Sequence, residues 1–180
     1  MRVVAGTARG RTLVTPPGAR TRPTTDRVRE AVFNALWSRD AVEDADVVDL
    51  FAGSGALGVE ALSRGAAHVT FVDRDRAARY AIRRNVEVCG FEDRVTIVET
   101  PVEPWLATLG GDVRFDLAFC DPPYAFDGWV DLLVSVPADL VVAEAAGPFT
   151  PPDGWSLLRE ARYGGTWVGF LIPPGETPAG

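Results

Sequence analysis

Two short segments of the chain bring together residue types that could do chemistry. The first is Cys120-Asp121-Pro122-Pro123-Tyr124. Two successive prolines lock the backbone and remove two N–H donors, so the turn offers its carbonyl oxygens to an outside partner. Asp121 adds an acceptor-only carboxylate beside the Pro122 carbonyl, and Tyr124 adds an aromatic face. That set suits an exocyclic amine on a flat base. Its two N–H groups would bond to Asp121 and to the Pro122 carbonyl, with Tyr124 stacked on the ring. Such an amine is a poor nucleophile because its lone pair is delocalised into the base. Accepting both protons in hydrogen bonds draws the nitrogen toward a tetrahedral shape and frees that lone pair for in-line attack on an electrophilic methyl group, with positioning the main contribution. The plainer alternative is an ordinary proline turn with a buried tyrosine.

The second segment is Asp49-Leu50-Phe51-Ala52-Gly53-Ser54-Gly55-Ala56-Leu57-Gly58. Gly53, Gly55 and Gly58 spell G-x-G-x-x-G, and Asp73 follows Gly53 by 20 residues. Alone this is the dinucleotide fingerprint, with an acid for ribose hydroxyls. Asp49 points elsewhere, since a carboxylate ahead of the loop would receive an ammonium group but repel a pyrophosphate. S-adenosylmethionine (SAM) asks for acids at both ends, ribose and ammonium, and is therefore favoured over NAD. A hydride-transfer residue is also missing, which counts further against an oxidoreductase.

Other reactive side chains carry less. Cys120 could serve as the nucleophile of cytosine-C5 methylation, but strand alternation turns it away from Asp121 and into packing. Cys89 is core or surface. His68 is the only histidine and has no second ligand near it in sequence, so no metal site is expected. Trp105, Trp129, Trp155 and Trp167 read as packing residues rather than base platforms.

These groups must be held by a regular scaffold. Arg2–Ala5 and Arg11–Val14, around Gly6 and Gly10, predict a β-hairpin. The stretch 15–23 is an irregular connector, and Thr24 or Thr25 caps a helix running to about Trp37. From there strands alternate with helices: Asp46–Phe51, helix from Ala56, His68–Asp73, helix from Arg76, Arg94–Glu99, a short helix near Trp105, Phe115–Asp121, helix Trp129–Val134, and Leu140–Glu144. Trp155–Tyr163 and Thr166–Ile172 close the chain as a hairpin across Gly164–Gly165. The alternation predicts an α/β, doubly wound, mostly parallel sheet, whose ligands bind beyond the carboxyl ends of its strands. Both chemical segments fall there.

Composition agrees with one globular unit. The 180 residues are 47% hydrophobic and 24% charged, enough to bury a substantial core and too apolar for disorder. Arg2, Arg9 and Arg11 interrupt any early apolar segment, and no stretch reaches 18 uncharged apolar residues, so a cytoplasmic protein without a membrane partner is expected. All 18 cations are Arg, and they are unevenly placed. Residues 1–40 carry eight Arg against three acids, whereas the remainder carries ten against 22. A basic arm on an acidic body suggests that the arm meets phosphate.

Four segments together resemble the RsmD-type enzymes, bacterial 16S rRNA guanine-N2 methyltransferases. They are 2–11 (RVVAGTARGR), 22–34 (RPTTDRVREAVFN), 49–65 (DLFAGSGALGVEALSRG) and Asp-Pro-Pro-Tyr at 121–124. The 22–34 segment is the specific part, because the other motifs are shared by many amino-methyltransferases. The resemblance implies a class I SAM-dependent methyltransferase fold, a Rossmann-like seven-stranded sheet with its last hairpin antiparallel. It divides the chain into an RNA-recognition extension, 1–40, and a methyltransferase domain, 41–180. It implies SAM held by Asp49, Phe51, Ala52, Gly53, Ser54, Gly55, Gly58, Asp73, Arg74, Val102 and Asp121, and a target base held by Asp121, Pro122, Pro123 and Tyr124. It gives RNA contacts to Arg9, Arg11, Arg20, Arg22, Thr24, Arg27 and Arg29. The substrate it implies is a guanine of the G966 type in 16S rRNA, within an assembled or assembling 30S subunit, methylated by a monomer without metal. One position departs from the pattern. Pro101-Val102 stands where the family usually has Asp or Asn followed by Ala, which leaves adenine to the Val102 N–H and apolar packing and implies weaker SAM binding.

Two alternatives remain open on the residues. One is a DNA methyltransferase acting on adenine-N6, cytosine-N4 or, through Cys120, cytosine-C5. The other is a non-catalytic RNA-binding assembly factor, for which the Asp121 turn would be idle.

Overall fold

In the computed structural model, residues 1–16, 26–123 and 125–175 are described. Helix α1 spans Asp26–Trp37, and the alternating part follows as β1 (Asp46–Leu50), α2 (Ala56–Ser63), β2 (His68–Val72), α3 (Arg76–Cys89), β3 (Val95–Val98), α4 (Val102–Leu106), β4 (Phe115–Cys120), α5 (Trp129–Ser135) and β5 (Ala138–Ala145). The antiparallel pair β6 (Ser156–Tyr163) and β7 (Thr166–Ile172) ends it. These elements form one seven-stranded sheet in the order β3-β2-β1-β4-β5-β7-β6. The first five strands run parallel, and β7 enters antiparallel to β5. Strand order reverses between β1 and β4, so the sheet opens a ligand crevice at their carboxyl ends.

The parallel strands are almost wholly apolar because helices cover both faces. On one face Val32, Phe33 and Leu36 of α1, Val59 and Leu62 of α2 and Ile82 of α3 pack on Val47, Phe71, Phe119 and Val142. On the other, Val102 and Leu106 of α4 and Leu132 and Leu133 of α5 pack on Val48, Leu50, Cys120 and Val141. Helix α3 is capped by the Asp75 carboxylate, which accepts the Ala78 N–H at 2.8 Å, and ends on left-handed Gly90.

The two arms of the N-terminal hairpin pair, but briefly: the Val3 N–H donates to the Arg11 carbonyl, the Leu13 N–H to the Met1 carbonyl and the Gly10 N–H to the Val3 carbonyl. Among the described residues, Arg2 with Thr12 is the one β-bridge of this hairpin. Beyond Val3 the first arm bonds to α2. The buried Glu60 carboxylate accepts the Val4 N–H at 2.8 Å and the Ala5 N–H at 2.9 Å. Those bonds anchor the far end of the first arm to α2. Val3, Ala8 and Leu13 sit in the same core as α1 and α2. The predicted cap at Thr24 or Thr25 lies outside the described residues.

Candidate active site

The glycine loop is shaped by backbone conformations that side chains resist. Phe51, Gly53 and Gly55 have φ of 59°, 56° and 73°. Phe51 is the unusual one, since a non-glycine residue there carries strain. Two acids brace the loop. Asp49, at the end of β1 and 2% exposed, accepts the Gly58 N–H at 3.0 Å. Asp73, just past β2, accepts the Gly53 N–H at 2.8 Å and the Asp75 N–H at 2.7 Å. Gly58 is demanded by packing, because a Cβ there would lie 2.3 Å from the Phe71 ring. The Ser54 carbonyl accepts the Asn85 side-chain amide at 2.8 Å. Ala52 donates to the Val72 carbonyl at 3.2 Å, tying the loop to β2. Arg74 is exposed beside it.

Asp121 follows β4, which lies next to β1, and its N–H reaches the Leu50 carbonyl at 3.5 Å. Burial pushes its carboxyl up to about 7. Burial likewise raises Asp49 well above the usual carboxylate range, and the charges of Asp121 and Asp73 add to the rise. Three acids thus converge on the carboxyl ends of three neighbouring strands, with repulsion among them. Such a set calls for a positively charged guest. A sulfonium bearing an ammonium group satisfies it, and a pyrophosphate does not. Among the described residues no three His, Cys, Asp or Glu side chains come close enough to hold a metal ion.

On its other side Asp121 borders a cavity of about 1140 Å³, together with Pro122 and Pro123. Phe126, Trp129 and Phe149 wall it with two edge-on ring contacts, their centroids 5.5 and 5.3 Å apart. Arg27 and Val28 of α1 close one side, and Arg162 with Gly164–Gly165 of the β6–β7 turn the other. The Asp121 turn therefore stands between a cation-seeking crevice and a roomy, partly aromatic chamber. A planar base could enter from the second while a methyl donor occupies the first.

Cys120 is buried, packs with Val48, Leu50 and Val141, and has its thiol pushed up by burial and by Asp49 and Asp121. A thiolate nucleophile is disfavoured there, as strand alternation suggested. Val102 opens α4 and is buried among Leu50 and Val72, with Pro101 as an N-cap that makes no side-chain cap bond.

The arginines separate into two groups. Arg9, Arg11 and Arg27 are exposed, and only Arg27 borders the cavity among the three. Arg29 corrects the expectation of an RNA contact. It is fully buried, donating to Glu60 at 3.4 Å, to Asp26 at 2.9 Å and to the Arg2 carbonyl. It ties α1 to α2 and to the N-terminal segment and has no surface to offer phosphate. Arg20, Arg22, Thr24 and Tyr124 lie outside the described residues.

Sequence reasoning passed over Glu60 and Glu144. Glu60 is fully buried and anchors Val4, Ala5, Arg29 and Arg64. Glu144 is 6% exposed and borders the cavity. A signal was present in both cases, an acid inside an otherwise apolar run: Ala56–Ser63 for the first and Leu140–Ala145 for the second.

A family model described as conserved hypothetical protein 95 matches residues 1–172. Ribosomal RNA small subunit methyltransferase D of Escherichia coli is 36% identical over 178 residues, 91% of this chain and 85% of the relative. Its namesake in Haemophilus influenzae is 34% identical, over 91% and 89%. The solved structure of the yhhF protein from Escherichia coli superposes with a TM-score of 0.84 at 35% identity, covering 98% of this chain and 99% of that one. The chain belongs to the conserved hypothetical protein 95 family, on the class I SAM-dependent methyltransferase fold.

Proposed function

We propose that this protein transfers a methyl group from SAM to the exocyclic N2 amine of one guanine in 16S rRNA, within an assembled or assembling 30S subunit. The observation that carries the reading is the place of Asp121, between the acids of the glycine loop and the aromatic cavity. The names of the relatives support rRNA as the substrate. SAM supplies the electrophilic methyl group when bound. Asp49 and Asp73 hold its charged and hydroxylic ends while bracing the loop, and Val102 contributes packing. Asp121 and the Pro122 carbonyl accept hydrogen bonds from the two N–H groups of the target amine, and Tyr124 stacks on the base. Positioning supplies most of the rate. Residues 1–40 extend the recognition surface through Arg9, Arg11 and Arg27, and residues 41–180 carry the chemistry. The enzyme works as a cytoplasmic monomer without metal.

The test is transfer of tritiated methyl groups from SAM to 30S particles, naked 16S rRNA and duplex DNA, with particles from a strain lacking the modification and the product nucleoside identified by mass spectrometry. N2-methylguanosine from the particle is the expected product. A methylated adenine or cytosine in DNA would replace the substrate, and transfer to none of the three would favour a scaffold role.

A further inference from the structure

We infer that Glu144 reads the N1 edge of the target base and thereby selects guanine, a step that rests on the guanine-N2 reading above. Strands β4 and β5 are parallel neighbours with Cys120 beside Ala143. The next residue on each, Asp121 and Glu144, therefore follows at the same edge of the sheet, one strand spacing apart, about 4.8 Å. Both border the same cavity. The sheet order sets the direction. Asp49 on β1 and Asp73 after β2 lie to one side of Asp121, and Glu144 lies to the other. A base whose amine is held at Asp121, facing the methyl donor, must extend its remaining edge toward β5.

The three amino-bearing bases differ at that edge. Beside the N2 amine of guanine lies N1–H, a donor. Beside the adenine amine lies N1, and beside the cytosine amine N3, both bare acceptors. A carboxylate accepts a hydrogen bond from the first and meets a lone pair in the other two. Asp-Pro-Pro-Tyr holds any of the three amines alike, so the discrimination has to come from a neighbouring group. Glu144 is an acid 6% exposed on the wall where that edge arrives. A carboxylate has about four acceptor sites, so a contact within the protein leaves room for one to the base. A site built to accept one hydrogen bond rejects an analogue that lacks the donor far more strongly than a hydrophobic pocket rejects a shape.

The experiment compares target-site guanosine with 2-aminopurine ribonucleoside, placed in the particle by splinted ligation. 2-Aminopurine keeps the 2-amino group but has a bare N1. The wild-type enzyme is expected to prefer guanosine on the order of 100-fold in kcat/KM. Glu144→Gln can turn its amide N–H toward a bare N1. It should lose about tenfold on guanosine and gain on 2-aminopurine, so that the preference falls below tenfold. Glu144→Ala should also lose the preference. The ratio is read on whatever fraction of a variant folds, and loss of O6 cancels between wild type and variant. A wild-type preference under threefold, or an unchanged preference in Glu144→Gln, overturns the inference. So does total loss of transfer to both substrates by variants that melt like wild type and bind SAM. Wild-type methylation of adenine or cytosine, with none on guanosine, instead sinks the guanine-N2 reading.

Discussion

The Asp73 carboxylate accepts the backbone N–H of Gly53 at 2.8 Å, so an acid at the end of one strand fixes the turn that leaves its neighbour. Asp49 does the same nine residues along, accepting the Gly58 N–H at 3.0 Å. Both acids proposed to hold the cofactor are thus already oriented by the loop they serve. Such bracing is preorganisation, and it lowers the ordering cost of binding a charged guest. It also places three carboxylates together, with consequences for pH.

Asp121 is raised to about 7 by burial, and Asp49 is raised as well. Each holds its proton more tightly in the folded state than in the unfolded one. Their contribution to the stability of the free protein is therefore largest below the unfolded carboxylate range and falls as pH rises through about 7. Binding of the cationic cofactor favours the ionised form, so SAM affinity should rise about tenfold between roughly pH 6 and pH 8. Calorimetry at the two pH values checks this. In Asp121→Asn the Asp121 part of the dependence should vanish, and kcat should fall on the order of 100- to 1000-fold.

Arginine substitutions should divide by burial rather than by position in the basic arm. Arg29→Ala removes one of the two guanidinium partners of buried Glu60, leaving Arg64 and the Val4 and Ala5 amides, and should cost about 1 to 3 kcal/mol of stability, read as a lower urea midpoint. Arg9→Ala and Arg11→Ala, both exposed, should change stability by less than about 0.5 kcal/mol. They should instead weaken RNA binding and flatten its salt dependence. Equal loss of stability in all three would contradict the division.

Gly58→Ala would set a methyl group 2.3 Å from the Phe71 Cε1 atom and 2.8 Å from Val69 Cγ1. Overpacking of this kind costs about 1 to 3 kcal/mol. Thermal melting should show the loss, and Phe71→Leu in the same chain should restore part of it by vacating the ring position.

Pro101→Asp would place an acceptor at the N-cap of α4, where proline offers neither a side-chain acceptor nor an N–H. A new hydrogen bond to the adenine amine should tighten SAM binding about two- to tenfold. Unchanged affinity by calorimetry would show that a side-chain acceptor at 101 adds nothing to adenine recognition.

Much of this protein is legible in one dimension. The apolar runs ending in Asp49, Asp73 and Asp121, the helices between them and the closing hairpin are local patterns, because strand and helix periodicities depend on near neighbours. A parallel sheet then forces the residues after each strand onto one edge, and that is how widely spaced motifs could be assigned to one site. Burial is not local. Arg29 stands in a run of arginines with the same side chain as Arg27, yet α2 brings Glu60 against it and leaves Arg27 at the cavity. The first arm of the hairpin pairs with the second only as far as Val3, and beyond it Glu60, more than fifty residues away, accepts the Val4 and Ala5 amides and ties the arm to α2. Glu144 ends an apolar run just as Asp121 does, but its significance depends on β5 lying beside β4. Residue type and spacing determined which chemistry was available. Only tertiary packing decided which charges were withdrawn from water and which were left to meet a substrate, because desolvation depends on what the rest of the chain lays over a residue.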